Sequence, residues 1–60
     1  MNNERITVYS VKEVSQILKT TCQQVRKMIQ NEEIAAVKVG REWRIPAERL
    51  EEFLENTEII

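Results

Sequence analysis

The spacing of the apolar residues changes near the middle of this chain, and that change limits the folds open to it. Before residue 34 the apolar residues recur at helical spacing, three or four positions apart. From Ile34 to Ile45 they alternate with polar ones, and Gly40, the only glycine of the chain, separates the two alternating halves. We therefore predict helices followed by a β-hairpin.

Two short helices are predicted in the first half, after a short extended segment at residues 6–9. Ser10 and Glu13 form a capping box for the first helix. Its core-facing stripe is predicted to contain Val11, Val14, Ile17 and Leu18, with Lys12, Ser15 and Gln16 facing outward. Such a short helix needs a packing partner.

The second helix is predicted over residues 21–30, with Thr20 or Thr21 as its N-cap. Asn31 is expected to adopt a left-handed conformation in the turn that follows. The inner stripe contains Cys22, Val25, Met28 and Ile29, and the outer face contains Gln23, Arg26, Lys27 and Gln30 without any Asp or Glu. Two interpretations stay open for this outer face: an ordinary solvated surface, or contact with a DNA major groove through amides and cations.

The hairpin allows two registers. A two-residue loop at Gly40-Arg41 pairs Val39 with Glu42, whereas a three-residue loop pairs Val39 with Trp43. The three-residue loop is predicted, because it places Val37, Val39, Trp43 and Ile45 together on one buried face. Lys38 and Arg44 then share the outer face with Arg41 at the tip, either to contact phosphates or to protect a strand edge from aggregation.

A third helix is predicted after Pro46, with Leu50, Phe53 and Leu54 facing the core. Its outer face is acidic through Glu48, Glu51, Glu52 and Glu55, either as a solvated surface or as a docking surface for a basic protein. The sequence allows three alternatives for the tail that ends in Ile59-Ile60: it packs into the core, it frays, or it joins an interface.

Composition predicts one small domain at residues 1–60, with a core of about residues 8–55. The chain has one Cys and no His, so we expect no metal site, no cofactor and no enzymatic activity. No apolar run is long enough for a membrane span, and a cytoplasmic location is expected.

The net charge of −1 conceals an asymmetry along the chain. Residues 1–44 carry eight Lys or Arg against five Glu, whereas residues 45–60 carry one Arg against five Glu. A basic front and an acidic back are compatible with a DNA-binding protein that has one working face.

The residues from Tyr9 to Leu54 resemble the short excisionase-type members of the MerR-like winged helix-turn-helix group. The resemblance is carried by the opening Tyr9-Ser-Val-Lys-Glu13, by the helix containing Val25-Arg-Lys-Met28, and by Val39-Gly40-Arg-Glu-Trp43-Arg44-Ile45-Pro46. It implies a small α+β winged helix-turn-helix: a short N-terminal extended segment, a two-helix motif, a β-hairpin wing and a C-terminal helix.

The resemblance also implies double-stranded DNA as the partner, with the second helix in the major groove and the wing at 34–45 on the adjacent backbone or minor groove. The implied DNA-binding residues are Thr21, Gln23, Gln24, Arg26, Lys27, Arg41 and Arg44, and the predicted outer face of the hairpin adds Lys38. Proteins similar to this one assist an integrase or transposase in excising a mobile element, or act as small transcriptional regulators, in a bacterial or phage-type nucleoid setting. Cooperative self-association on DNA is expected, because one helix and one wing cover few base pairs.

Three positions depart from the pattern of this group. Lys19 and Glu32 replace common glycines, and Ala35 replaces a frequent proline. The departure at Glu32 bears most directly on the turn after the second helix. An adaptor function through the acidic third helix stays open beside DNA binding.

Overall fold

The computed structural model describes residues 6–56. The elements follow the predicted order, with an extended segment, two helices, a hairpin and a third helix: β1 (Val8–Ser10), α1 (Val11–Leu18), α2 (Cys22–Gln30), β2 (Val37–Val39), β3 (Glu42–Pro46) and α3 (Ala47–Asn56). The predicted small α+β class is confirmed, and the arrangement is that of a small winged helix-turn-helix. The Ile59-Ile60 tail lies outside the described residues.

The capping box at the start of α1 is confirmed. The Ser10 backbone N–H donates to Glu13 Oε1 at 2.8 Å, and the Glu13 N–H donates to Ser10 Oγ at 3.1 Å. Two backbone N–H groups that have no carbonyl partner within the helix are therefore hydrogen-bonded to side-chain oxygens. The chain passes from β1 into α1 without an intervening loop, because Ser10 is both the last strand residue and the cap.

The predicted inner face of α1 is partly wrong. Ile17 is 47% exposed, whereas Ser15, expected to face outward, is only 5% exposed. The residues that face the core lie at positions 11, 14, 15 and 18, which is the i, i+3, i+4, i+7 stripe of a helix. Ser15 tolerates burial because its hydroxyl donates to the Lys12 carbonyl at 2.7 Å and lies 3.7 Å from the Cys22 sulfur.

Both helices of the helix-turn-helix end in the same hydrogen-bonded motif. After α1 the N–H groups of Lys19 and Thr20 donate to the Gln16 and Ser15 carbonyls, and Glu32 and Glu33 bond the Ile29 and Met28 carbonyls after α2. This pair of bonds defines a Schellman motif, whose first residue beyond the helix is left-handed. Lys19 has φ 59° and Glu32 has φ 63°, so the two residues that replace common glycines adopt the conformation glycine favours. The left-handed conformation predicted for Asn31 is wrong, because its φ is −87° and the motif closes one residue later.

Glu32→Gly is expected to raise the free energy of unfolding by about 1 kcal/mol in urea titrations. A side chain at this φ costs about 1–2 kcal/mol, and the greater freedom of glycine in the unfolded chain offsets only part of that. Lys19→Gly should yield a smaller gain, because it also removes a cation that favours a helix C-terminus. Glu33→Gly is the matched control, since it removes a neighbouring carboxylate from a residue without a positive φ. Equal gains for the two glutamates would assign the effect to charge rather than to backbone strain.

The sheet is antiparallel with the strand order β1-β3-β2. In the hairpin Val39 pairs with Glu42, Lys38 with Trp43 and Val37 with Arg44, so the predicted three-residue loop is wrong. The physical reason is the turn itself: a two-residue loop needs a positive φ at its first position, and Gly40 supplies it at +64°. A three-residue loop favours glycine at its last position instead, and Glu42 would occupy that position.

The observed register changes which wing residues share a face. Val37 and Val39 are 51% and 56% exposed and lie on the side of Arg44 and Glu42, so their predicted burial is wrong. Lys38 lies across from Trp43 on the other side, with its Nζ 4.7 Å from the centroid of the indole ring. Lys38 and Arg44 therefore do not share the outer face that the sequence predicted.

The core lies between the helices and the sheet face that carries Ile45. It is formed by eight buried side chains, contributed by all three helices, the α2–β2 connection and the central strand: Val11, Val14, Val25, Met28, Ile29, Ile34, Ile45 and Leu50. Tyr9, Trp43 and Phe53 pack at its margin. Leu54, predicted to face the core, is 43% exposed.

Candidate nucleic-acid interface

The outward face of α2 has the composition expected for contact with DNA. Thr21 is the N-cap, with its Oγ1 accepting the Gln24 N–H at 3.0 Å. The five residues predicted to bind DNA at this element are all exposed: Thr21, Gln23, Gln24, Arg26 and Lys27. Gln30 extends the same face, and no acidic residue interrupts it.

These side chains fall on three lines along the helix, because successive residues rotate by about 100°. Gln23 and Lys27 lie one turn apart at the centre of the outward face, directly opposite the buried stripe. Arg26 follows Cys22 by one turn on the side of the wing, and Gln24 lies on the far flank. Gln23 and Lys27 are therefore best placed to meet base edges, and Arg26 is best placed to meet the backbone.

The cations of the wing have three different environments. Arg41 is exposed in the turn between the strands. Arg44 is half-buried, and its NH1 donates to Glu42 Oε1 at 2.9 Å and to the Trp43 carbonyl at 3.3 Å. Lys38 lies over the Trp43 ring on the opposite side of the hairpin. Arg44 and Lys38 therefore lie on opposite faces of the hairpin, with Lys38 on the face that also carries Trp43 and Ile45.

A groove of about 340 Å³ separates the wing from the two helices. Four cationic side chains from three elements and one turn line it: Lys12 of α1, Arg26 of α2, Arg41 of the turn and Arg44 of β3. Glu42 is the one acidic residue among the lining side chains. We call this the wing groove.

The wing groove exists because β3 is longer than its neighbour β1. Ser10, the last residue of β1, pairs with Arg44, so Glu42 and Trp43 extend beyond the end of β1. The start of α1 then lies beside this open strand edge, which brings Lys12 to the wing. Sequence reasoning missed Lys12, since nothing local links the first turn of α1 to a hairpin about thirty residues later.

The acidic residues lie mainly outside this interface. Glu32 and Glu33 follow the C-terminal end of α2 and are not among the lining residues of the wing groove. The acidic face of α3 contributes none of these residues either, and its Glu52 pairs with Arg49 at 3.0 Å. Of the four glutamates within or beside the motif, Glu13, Glu32, Glu33 and Glu42, only Glu42 lines the wing groove.

Within residues 6–56 there is no cluster of His, Cys, Asp or Glu that could hold a metal ion. None of the helices described is long and apolar enough to cross a membrane. Cys22, the only thiol, is half-buried beside Ser15 between α1 and α2.

Comparison with known proteins identifies the family of the chain. A family model of the helix-turn-helix domain matches residues 8–58. No curated protein and no solved structure matches the chain significantly. The family match covers both helices of the motif, the wing and α3, which is far more than half of the chain. The chain therefore belongs to the helix-turn-helix domain family, a family of DNA-binding domains.

Proposed function

We propose that this protein binds specific sequences in double-stranded DNA, with α2 in the major groove and the wing beside the adjacent backbone. The observation that carries the proposal is the acid-free outward face of α2 next to the cationic wing groove. Gln23 and Lys27 would contact base edges, with Thr21 and Gln24 at the start of the helix. Arg26, Arg41 and Arg44 would contact phosphates. Lys38, which does not line the wing groove, would contribute only long-range attraction.

The biological role proposed for this binding is that of an excisionase-like accessory factor in site-specific recombination, without catalytic activity of its own. The support is the resemblance of the wing sequence and of the helix pair to excisionase-type proteins. One α2 and one wing cover few base pairs, so useful affinity requires several copies on repeated sites. An integrase or transposase would be the protein partner. The protein, of bacterial or phage type, would act in the bacterial cytoplasm. A small transcriptional regulator with the same DNA contacts is the alternative.

The exposed glutamates of α3 favour a second candidate function. Glu48, Glu51 and Glu55 make no ion pair with any other described residue and point away from the core. They could dock a basic protein surface, either as the recombinase contact or as the main activity of an adaptor. A pull-down with the triple Gln variant would separate this surface from DNA binding, because none of the three residues lines the wing groove.

DNA binding is tested by titrating a fluorescent random duplex at several salt concentrations. We expect log K to fall linearly with log salt, with a slope of about −3 to −5, since three to five neutralised phosphates release that many counterions. Arg26→Gln should reduce the magnitude of the slope by about one. Arg49→Gln, which removes a cation from α3, is the matched control and should leave the slope unchanged. Absence of binding at low salt would overturn the proposal and direct attention to the acidic face of α3.

A further inference from the structure

The charges in the wing groove are unevenly paired. Arg44 holds Glu42 at 2.9 Å, whereas Lys12, Arg26 and Arg41 have no acidic partner within ion-pair distance in the described part of the chain. One carboxylate thus stands among four cations that come from separate elements. The three unpaired cations leave the groove with an excess of positive charge, which favours the binding of an external anion.

We propose that the wing groove holds one backbone phosphodiester of the bound duplex, and that in the free protein the Glu42 carboxylate occupies the place of that phosphate on Arg44. This inference rests on the DNA-binding function proposed above and adds to it a specific anion site. It also gives a role to Lys12, which the sequence had not placed in the interface.

The ion pair is suited to exchange. The Glu42 side chain is 68% exposed and that of Arg44 is 33% exposed, so water can replace the contact at little cost. Arg44 NH1 also donates to the Trp43 carbonyl at 3.3 Å, a contact that does not involve the Glu42 side chain. A phosphodiester in the groove would be lined by Arg44 and by the unpaired cations Lys12, Arg26 and Arg41. A retained Glu42 carboxylate would repel it.

Glu42 therefore weakens DNA binding, and Glu42→Gln is expected to tighten it by about fivefold in 0.1 M salt, because a competing charge leaves the phosphate site. Glu51→Gln is the matched control. It changes the net charge by the same amount on an exposed residue of α3 and should alter affinity by less than about twofold, since a distant exposed charge is screened. Equal effects of the two variants would overturn the proposal, because net charge alone would then explain both.

Lys12→Gln tests the same site with a loss of charge. It should weaken binding about fivefold and reduce the magnitude of the salt slope by about one, whereas Arg49→Gln should change neither. Thermal unfolding followed by circular dichroism confirms that each variant is folded before its affinity is compared. An unchanged slope for Lys12→Gln would exclude a phosphate contact at this residue and overturn the proposal.

A single neutral methylphosphonate, moved along the backbone of a tightly bound duplex, then locates the phosphate. At one position the substitution should weaken binding by the wild-type protein. At the same position it should remove most of the gain in affinity that Glu42→Gln shows over wild type. An advantage that persists at every position would overturn the phosphate assignment while leaving DNA binding intact. Failure of the wild-type protein to bind any duplex would overturn the proposed function itself, so the two failures are distinguishable.

Discussion

Ile45→Ala is expected to leave much of the protein unfolded at room temperature. Ile45 is fully buried on the central strand β3, which pairs with β1 on one edge and with β2 on the other. Truncation of a buried isoleucine costs about 2–5 kcal/mol, and a 60-residue chain whose single Cys allows no internal disulfide rarely has more than about 3–5 kcal/mol of stability. The loss of one side chain is therefore comparable to the whole stability of the domain.

Urea unfolding followed by far-ultraviolet circular dichroism measures the effect. Ile17→Ala is the matched control, because it makes the same chemical change at a helix position that is 47% exposed. Alanine also has the higher helix propensity, so this control should stay within about 0.5 kcal/mol of wild type. Similar midpoints for the two variants would show that β3 does not form the centre of the core.

Gln23→Ala is expected to abolish sequence preference at one position of the bound site while leaving non-specific affinity nearly unchanged. Gln23 lies at the centre of the outward face of α2, where a primary amide can bond both the acceptor and the donor of an adenine edge. A bidentate pair of this kind contributes about 1–3 kcal/mol of discrimination, which corresponds to a fivefold to 150-fold preference. Selection from a random duplex library, followed by titration of single-base variants of the selected site, measures it.

Gln16→Ala in α1 is the matched control for this change, because Gln16 is exposed and does not line the wing groove. It should retain the preference of the wild type at every position. A Gln23→Ala profile that keeps the wild-type preference throughout would show that Gln23 does not contact a base edge. The centre of the recognition surface would then have to be moved along α2.

The helices could be predicted from sequence because their determinants are local. Ser10 and Glu13 lie within one turn, Thr21 precedes its helix directly, and the stripe of Val25, Met28 and Ile29 is short. The error in α1 concerns which residue, Ile17 or Ser15, faces the core. Ile17 is the more apolar residue, but Ser15 lies on the inward line and has a local carbonyl for its hydroxyl.

The register of the wing was mispredicted because burial was given more weight than turn geometry. Burial favours placing Val37 and Val39 in the core, yet the positive φ of Gly40 at the first loop position favours the two-residue turn. Among residues 6–56 no second layer of side chains covers these valines. The two residues stay exposed as a result.

The candidate site was predicted in part. The outward face of α2 follows from periodicity, and Arg41 and Arg44 do approach it. Lys12 could not be predicted, since its position beside the wing depends on the pairing of β1 with β3 across more than thirty residues. The Glu42–Arg44 pair is local, at i, i+2 within one strand, and was missed. Lys38 was assigned to the interface because of the wrong register. Its position over Trp43 makes it the weakest member of the predicted set.

The direct passage from strands into helices has a thermodynamic consequence. β1 runs into α1 at Ser10, and β3 runs into α3 at Ala47, with no flexible linker at either junction. The backbones that carry Lys12 and Arg44 are thus ordered before any partner binds. Little main-chain entropy remains to be lost on association, and only the long side chains have to be immobilised. A surface formed by one helix and one hairpin can then retain most of its contact energy as affinity.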